Sequence, residues 1–344
     1  MMKKCARQWI CLLACFALLV GCSGGVETNS GGEKPSTTKV KDAPVVLKLA
    51  HGYAPEHPFA IGAENIAKEI NEKSGGRLDV KVYPGGQLGS EKDLVDGLTT
   101  GSVDMTMAGP GELGKRFKPM LIFDGPFVFR DAEHLMKAMN GEFGQELANE
   151  MAKEIGIRSL SVLYMGQRYI TTSNVPINTP EDLKGVKLRV PDQPLSVANA
   201  KAMGATPTPM AFSEVYLGLQ QGVIDGQENP LAQITSAKFN EVQKYISLTG
   251  HVTQAVAFII NDQKLNSLSS DLQKIVTDVV HSNGEKMNQA ILDFEKSALD
   301  DLKAKGMEVI EPDVDAFREA TKSVITEFES EWGAGIYEKI QAVK

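Results

Sequence analysis

The sequence predicts an α/β protein of two lobes with a ligand cleft between them. Apolar strand-like runs alternate with amphipathic helices from residue 45 onward, which implies a mostly parallel sheet covered on both faces. A mature chain of about 320 residues exceeds what one hydrophobic core usually supports, so two are expected. Polar groups, above all Arg189 and Asn229, sit at or just past strand candidates, where open α/β sheets bind their ligands.

The first residues are not part of that fold. Lys3, Lys4 and Arg7 precede the apolar run Ile10 to Val20, the layout of a secretory signal. The run is too short for a membrane span, which needs about 20 residues. Leu19-Val20-Gly21-Cys22 resembles the lipobox of bacterial lipoproteins, which implies cleavage after residue 21 and a lipid anchor on Cys22. The alternative is an incidental cysteine before a conventional cleavage site. All four cysteines lie at or before Cys22, so the mature chain holds no internal disulfide even in an oxidising compartment. The Gly/Ser/Thr-rich stretch 22–42 reads as a flexible tether with a reach of about 25 Å. Together these place the protein across the inner membrane, periplasmic or at the cell surface.

The elements follow in order. Val45 to His51 is a strand candidate. Phe59, Ala63, Ile66, Ala67 and Ile70 line one face of a helix from Pro58 to Ser74, stopped by Gly75-Gly76. Leu78, Val80 and Val82 alternate as a strand does, before the turn Pro84-Gly85-Gly86. Ser90 and Asp93 form a capping box that opens a helix to Thr100, and Val103 to Met107 is the next strand. From Ala108 to Arg130 the chain is rich in Gly, Pro and Phe with little period. Helices are expected over 131–139 and 144–155, then a strand from Arg158 to Tyr164. Pro180 begins a short helix ending at Gly185. Val186 to Arg189 is a strand, Ser213 a helix entry, and Val223 to Asp225 a strand running into a polar loop, Gly226 to Asn229. A helix near Ala232 to Val242 and a strand from Ala255 to Ile260 follow. Ser270 to Lys305 is a long helix interrupted only by Gly284. Met307 to Ile310 is a strand, and the chain is helical from Val314.

Several functions are excluded. Without Lys3, Lys4 and Arg7 the formal charge of −8 becomes −11, against a nucleic-acid partner, which needs a basic footprint. Gly109-Pro110-Gly111-Glu112-Leu113-Gly114 matches G-x-G-x-x-G, but Pro119 arrives too soon for the helix that dinucleotide binding requires. Phosphate-loop, zinc-protease and nucleophile-elbow motifs are absent, and the five histidines are scattered. No cofactor or metal is expected. An enzyme acting on an acidic sugar would have to use Asp192 and Glu112 as acid and base, and nothing in the sequence fixes their spacing.

The positive argument rests on arginine. A guanidinium offers a planar fork matched to the two oxygens of a carboxylate. Arg189 ends a strand and Arg168 follows Met165-Gly166-Gln167 just past another. For both, the spacing leaves open a salt bridge to one of the chain's many Asp and Glu residues. His51, at the end of the first strand, reads as a loop residue or as a hydrogen-bond partner for a ligand.

Four stretches carry a resemblance: Pro180-Glu181-Asp182-Leu183-Lys184-Gly185-Val186-Lys187-Leu188-Arg189-Val190-Pro191, the run Pro207 to Tyr216, Asp225-Gly226-Gln227-Glu228-Asn229-Pro230, and Lys238 to Tyr245. In order and spacing the chain from Val45 onward resembles the solute-binding proteins of tripartite ATP-independent periplasmic (TRAP) transporters, of the dicarboxylate/sialic-acid type. The resemblance implies a two-lobed periplasmic-binding-protein-like fold with a long connecting helix. Lobe I would comprise residues 43–165 plus 255–294, and lobe II residues 166–254 plus 295–344. It implies that Arg189 clamps a carboxylate, that Arg168 is a second pocket arginine, that Phe212 packs on the ligand, and that Asn229 helps fix the carboxylate. Asp192 stands where the sialic-acid binders carry an asparagine. Ser90, Gly109 and Glu112 depart from those binders, and Leu49 to Pro58 looks more like the members that bind sugar acids such as uronates. The implied function is capture of an organic acid for a TRAP permease, without catalysis. A C4-dicarboxylate ligand, or an extracytoplasmic sensor without a transport role, are the alternatives.

Overall fold

A computed structural model describes residues 43–344; the expected signal segment, Cys22 and the tether lie outside the described residues. Ten strands form one mixed sheet: β1 (Val45–Ala50), β2 (Leu78–Tyr83), β3 (Met105–Ala108), β4 (Ile157–Thr172), β5 (Lys187–Val190), β6 (Thr206–Pro209), β7 (Gly226–Pro230), β8 (Tyr245–Ser247), β9 (Thr253–Asn261) and β10 (Glu308–Ile310). Their order is β2-β1-β3-β9-β4-β7-β5-β6, with β8 branching from β4 and β10 pairing β8. The flanks are parallel as expected (β1 with β2 and β3, β5 with β6 and β7). The middle is antiparallel, because β9 returns between β3 and β4 and β7 runs against β4.

β4 belongs to both halves. Its residues 157–167 pair with β9 and its last five, Arg168–Thr172, pair with β7. The sequence suggests a strand stopping at Tyr164, because Gly166, Gln167 and Arg168 break the apolar run. The chain instead bulges there: the register shifts between Tyr164 and Gly166, which lets the strand bend and continue. Gly166 sits at φ +122°. A Cβ there would lie 2.8 Å from Glu295 Oε1 and 3.0 Å from Pro230 Cβ, so no larger residue fits.

Glu295 comes from the helix Ser270–Ala304, whose 35 residues make a rod about 52 Å long. Its Val276, Val279, Val280, Met287 and Ile291 join Leu47, Leu49, Phe59, Ile66 and Ile70 in one core, whereas Ala298 and Leu302 join Val215, Leu219, Ile224 and Ile246 in another. Gly284 does not break the helix; it brings the backbone against β4, where a Cβ would lie 2.5 Å from Ser161 Oγ. The C-terminal segment also divides its packing. Phe317 sits with Ile170, Leu183 and Leu188, while Val324, Trp332 and Ile340 join Leu94, Leu98, Phe123 and Ile259.

The largest departure from the sequence reading concerns β7. Val223 to Asp225, expected as a strand, is not one, and Val223 is 51% exposed. The strand is the stretch expected as a polar loop. Gln227, Glu228 and Asn229 are buried between β4 and β5 and find side-chain partners there, which offsets the cost of removing them from water. The region 108–130 contains a five-residue helix, Pro110–Gly114, and a 3-10 turn, Lys118–Asp124. The helix Pro194–Ala202 and strands β6 and β8 carry too little apolar period to be read from sequence. The expected 232–242 helix is Leu231–Ser236, after which Lys238 takes a positive φ and a 3-10 turn follows. The entry expected at Ser213 is a 3-10 turn, Phe212–Glu214, leading into the helix Val215–Gln220. The Ser90–Asp93 capping box is present.

His57 caps the Pro58–Lys73 helix: its Nδ1 accepts from Phe59 N at 3.1 Å, and its ring stacks on Tyr53 at 4.7 Å. Burial pulls its pKa down to about 3, with His51 adding. The folded value lies below the unfolded one, so the neutral ring's contribution is complete above about pH 6.5. It is lost as the pH falls below that, at about 1.4 kcal/mol per pH unit. His57→Asn keeps a capping acceptor and removes the titration. Its unfolding free energy should fall less steeply than the wild type's between pH 6 and 4 in urea titrations; parallel profiles would assign the acid limb elsewhere.

Candidate functional site

A cavity of about 1010 Å³ opens where the two halves of the sheet meet, large for a small-molecule site. Arg168, Arg189, Asp192, Phe212 and Asn229 line it, with contributions from Tyr53, Glu91, Asp124, Met210, Glu228 and Gln254. Five of the six expected ligand-binding residues are therefore on one surface. His51 is not on it: the ring is fully buried, its Nδ1 accepts from Tyr53 N, and its neighbours Gly52 and Tyr53 reach the wall instead.

Arg189 is 3% exposed on β5. Nε and Nη2 both donate to the carbonyl of Met210, at 3.1 and 2.7 Å, and no carboxylate of the described residues pairs with the guanidinium. That clamp on the Nε side leaves the Nη1–Nη2 edge free, the edge that takes a carboxylate in parallel. Burial pulls the guanidinium down to about 10, with Arg168 adding and Glu228, Glu91 and Glu214 opposing; it remains charged at neutral pH. The Phe212 ring lies 5.9 Å from it and packs edge-on against Phe239, so the cation is walled by aromatic surface.

Arg168 is placed differently from its expected position past a strand end. It lies inside β4, opposite Pro230. Its Nε and Nη2 bond the Glu228 carboxylate, with Nη2 to Oε1 at 2.7 Å and to the Glu228 carbonyl at 2.6 Å; Nη1 donates to Gln254 Oε1 at 2.6 Å. Burial opposes the charge on Arg168, but Glu228, with Asp124 and Glu91, holds its pKa above the ordinary value. Burial also works against ionised Glu228, yet Arg168 and His251 bring its carboxyl down to about 2. Arg168 is thus a neutralised cation. Asn229 joins it, with Oδ1 accepting from Arg168 Nη2 at 3.4 Å and Nδ2 donating to Gln227 Oε1 at 2.5 Å. Asp192 is exposed on the turn after β5.

The other wall is acidic, which the sequence reading missed. Asp124 accepts from Gly111 N and Gln254 Nε2, each at 2.8 Å; burial pushes its carboxyl up to about 6, with Glu228 adding and Arg168 opposing. Gln254 so bridges Arg168 to Asp124. Glu112, the candidate acid or base, has both oxygens engaged, by Arg116 at 2.8 Å and Lys115 at 2.9 Å. Glu91 accepts from Gly109 N. Glu112 alone of this wall is picked out in the sequence; among the residues missed, Glu228 had a signal, because an arginine buried in so acidic a chain needs a carboxylate beside it and Glu228 adjoins Asn229. Among the described residues no cluster fit to hold a metal ion is present, and no helix is long and apolar enough to cross a membrane.

A sheet shared by two halves, a helix spanning both and a cavity holding a buried cation with a free edge define a two-lobed solute-binding protein. The signature of the DctP family, bacterial extracellular solute-binding protein family 7, matches residues 49–331, and the chain belongs to that family. It is 37% identical over 284 residues to the sialic acid-binding periplasmic protein SiaP of Vibrio cholerae, 82% of this chain and 87% of that one. The TRAP periplasmic solute-binding protein of Polaromonas sp. JS666, solved with D-erythronate, superposes with a TM-score of 0.84 at 33% identity, covering 87% of this chain and 99% of that one. That of Pseudomonas putida F1, solved with D-glucuronate, gives 0.83 at 31% identity over 87% and 98%. The protein is a TRAP-type solute-binding protein; family members are binding proteins for small organic acids and work with membrane permease subunits.

Proposed function

We propose that this chain binds a sugar acid, an aldonate or uronate, and presents it to its permease without chemical change. The observation that carries this is Arg189: a buried guanidinium with a free fork and no carboxylate of its own, facing a cavity. The ligand carboxylate docks on that fork. Asn229 and the Nη1 edge of Arg168 flank it, Phe212 packs against the carbon chain, and Asp192 borders the entrance. Lobe I (43–165 plus 255–294) then closes on lobe II (166–254 plus 295–344, corrected for the end of the chain, whose Val324, Trp332 and Ile340 pack into the core of lobe I), expelling water so that the charged hydrogen bonds strengthen. At roughly 1.5–3 kcal/mol each, three such bonds with stacking give about −8 to −11 kcal/mol, micromolar to nanomolar affinity. A lipid on Cys22 would hold the protein at the membrane.

A thermal-shift panel tests this reading, spanning uronates, aldonates, C4-dicarboxylates, keto acids, sialic acid and the neutral parent sugars. A ligand at 100 times its Kd should add about 2.7 kcal/mol of stability. We expect sugar acids to raise Tm and neutral sugars to leave it unchanged. A neutral sugar as effective as its acid would overturn the role of Arg189, and C4-dicarboxylates outperforming every sugar acid would overturn the ligand class. Small-angle scattering should show compaction with the preferred acid; superimposable curves would remove lobe closure from the mechanism.

A further inference from the structure

We infer that Glu91 sets the specificity of this cavity, admitting acids whose far end carries hydroxyl donors and rejecting those whose far end carries a second carboxylate. The inference deepens the sugar-acid reading and rests on it. Glu91 opens the helix Glu91–Thr100, in the half of the molecule that does not carry the arginines, and its side chain lines the same cavity as Arg189. Its Oε1 accepts from Gly109 N, and its Oε2 has no hydrogen-bond partner among the described residues.

The other charges of that wall are spent within the protein. Asp124 uses both oxygens on Gly111 and Gln254. Glu112 holds Arg116 and Lys115. Lys92 is paired with Asp96, and Asp93 with the Ser90 cap. Among the described residues no cation is paired with Glu91, but its charge is felt by Arg168 and Arg189 in the other half. Among the described residues, Arg189 is a lining cation with a free edge, and on the facing half Glu91 has a free oxygen and a charge that reaches both arginines; Asp93 also keeps one oxygen free, but its charge is not among those acting on them. A ligand with a carboxylate at one end and a hydroxyl at the other satisfies both Arg189 and Glu91, the hydroxyl donating to Glu91 Oε2. A dicarboxylate reaching that far sets like charges side by side, an arrangement interfaces use to exclude wrong partners.

The exclusion should depend on pH. The enclosing walls push the Glu91 carboxyl up to about 7, with Glu112 and Asp124 adding and the Gly109 N–H and Lys115 opposing, although the side chain still meets solvent along the cavity. Raised above its usual value, Glu91 is ionised and repels fully only above about pH 8. Repulsion fades as the pH falls toward 6.

D-Galactonate and galactarate share a carbon chain and differ in whether C6 is a hydroxymethyl or a carboxylate, so calorimetry with this pair, or with the corresponding pair built on the best aldonate of the panel, isolates the effect. For the wild type at pH 8 we expect at least thirtyfold preference for the monoacid, shrinking at least threefold at pH 6. Glu91→Gln should cut the preference below threefold and flatten its pH dependence, and Glu91→Ser should do the same. Arg189→Lys should weaken both acids by similar factors. A wild-type ratio near one, or a ratio that Glu91→Gln leaves intact, overturns the inference while the carboxylate site stands. If no acid binds at any pH, the carboxylate reading itself falls, and this inference with it.

Discussion

Arg189→Lys is expected to weaken binding of the preferred acid at least tenfold, and Arg189→Met to weaken it roughly thirtyfold or more. Lysine keeps the charge but concentrates it on one ammonium, which lacks the planar fork that donates to the Met210 carbonyl along one edge and keeps two parallel donors on another. Methionine removes the charge, leaving the ligand anion beside Arg168, which is already paired with Glu228. Losing one member of a buried, hydrogen-bonded charge pair costs about 2–5 kcal/mol, or roughly thirtyfold to several thousandfold in affinity. The same substitution should not lower the stability of the ligand-free protein, and should raise it by up to roughly 3 kcal/mol. Arg189 is a buried charge without a carboxylate, as its lowered pKa reflects, and an apolar side chain of similar length relieves that cost. Calorimetry and urea unfolding on one variant read both effects. An Arg189→Met protein that binds its acid normally, or loses stability in step with affinity, would show that this arginine holds the fold and not the ligand.

The separation of effects explains what could be read from the sequence. Helices and flanking strands with a clean period, such as Pro58–Lys73 and β1 to β3, are visible because apolar spacing alone places them. β7 is invisible to that logic. Gln227, Glu228 and Asn229 are interior because partners 56 to 61 residues away in sequence, Thr171 and Arg168, meet them across the strand pair, and no local pattern encodes such a meeting. The same limit applies to the site. Arg189, Phe212, Asn229 and Asp192 stand in stretches with recognisable order and spacing, and they come together on the cavity wall. The sequence left two fates for both arginines, a ligand or an internal carboxylate. The fold divides them: Arg168 has Glu228, and Arg189 has none among the described residues. The acidic wall went unread because Glu91 and Asp124 lie 33 residues apart, on a helix and on a turn within a stretch lacking period.

Glu228→Gln is the complementary experiment, with the opposite balance of effects. The variant leaves Arg168 buried with neutral acceptors only, Gln254 and the carbonyl of residue 228. Breaking a buried ion pair from one side costs about 3–5 kcal/mol, which for a chain this long should lower Tm by roughly 6 °C or more. A variant within about 0.5 kcal/mol of wild type in urea would mean that Arg168 does not depend on its carboxylate. The pH profile identifies the group. Glu228 has a folded pKa depressed to about 2, so the pair's contribution is complete above the unfolded value near 4.3 and is lost as the pH falls from there toward 2. The wild type should therefore lose stability across that window more steeply than Glu228→Gln. Replacing both partners, Arg168→Met with Glu228→Leu, should recover at least half of the lost stability, because no charge is then left unpaired. Affinity moves the other way. In the wild type the pair is electrically neutral and Arg189 supplies the cation that a ligand meets. Removing the Glu228 charge adds a net positive charge beside the same cavity, so the folded Glu228→Gln protein should bind its acid as well as the wild type or better. A large loss of affinity in folded protein would assign Glu228 a different task, that of aiming Arg168 at the ligand, and Arg168 would then carry a share of the grip comparable with that of Arg189.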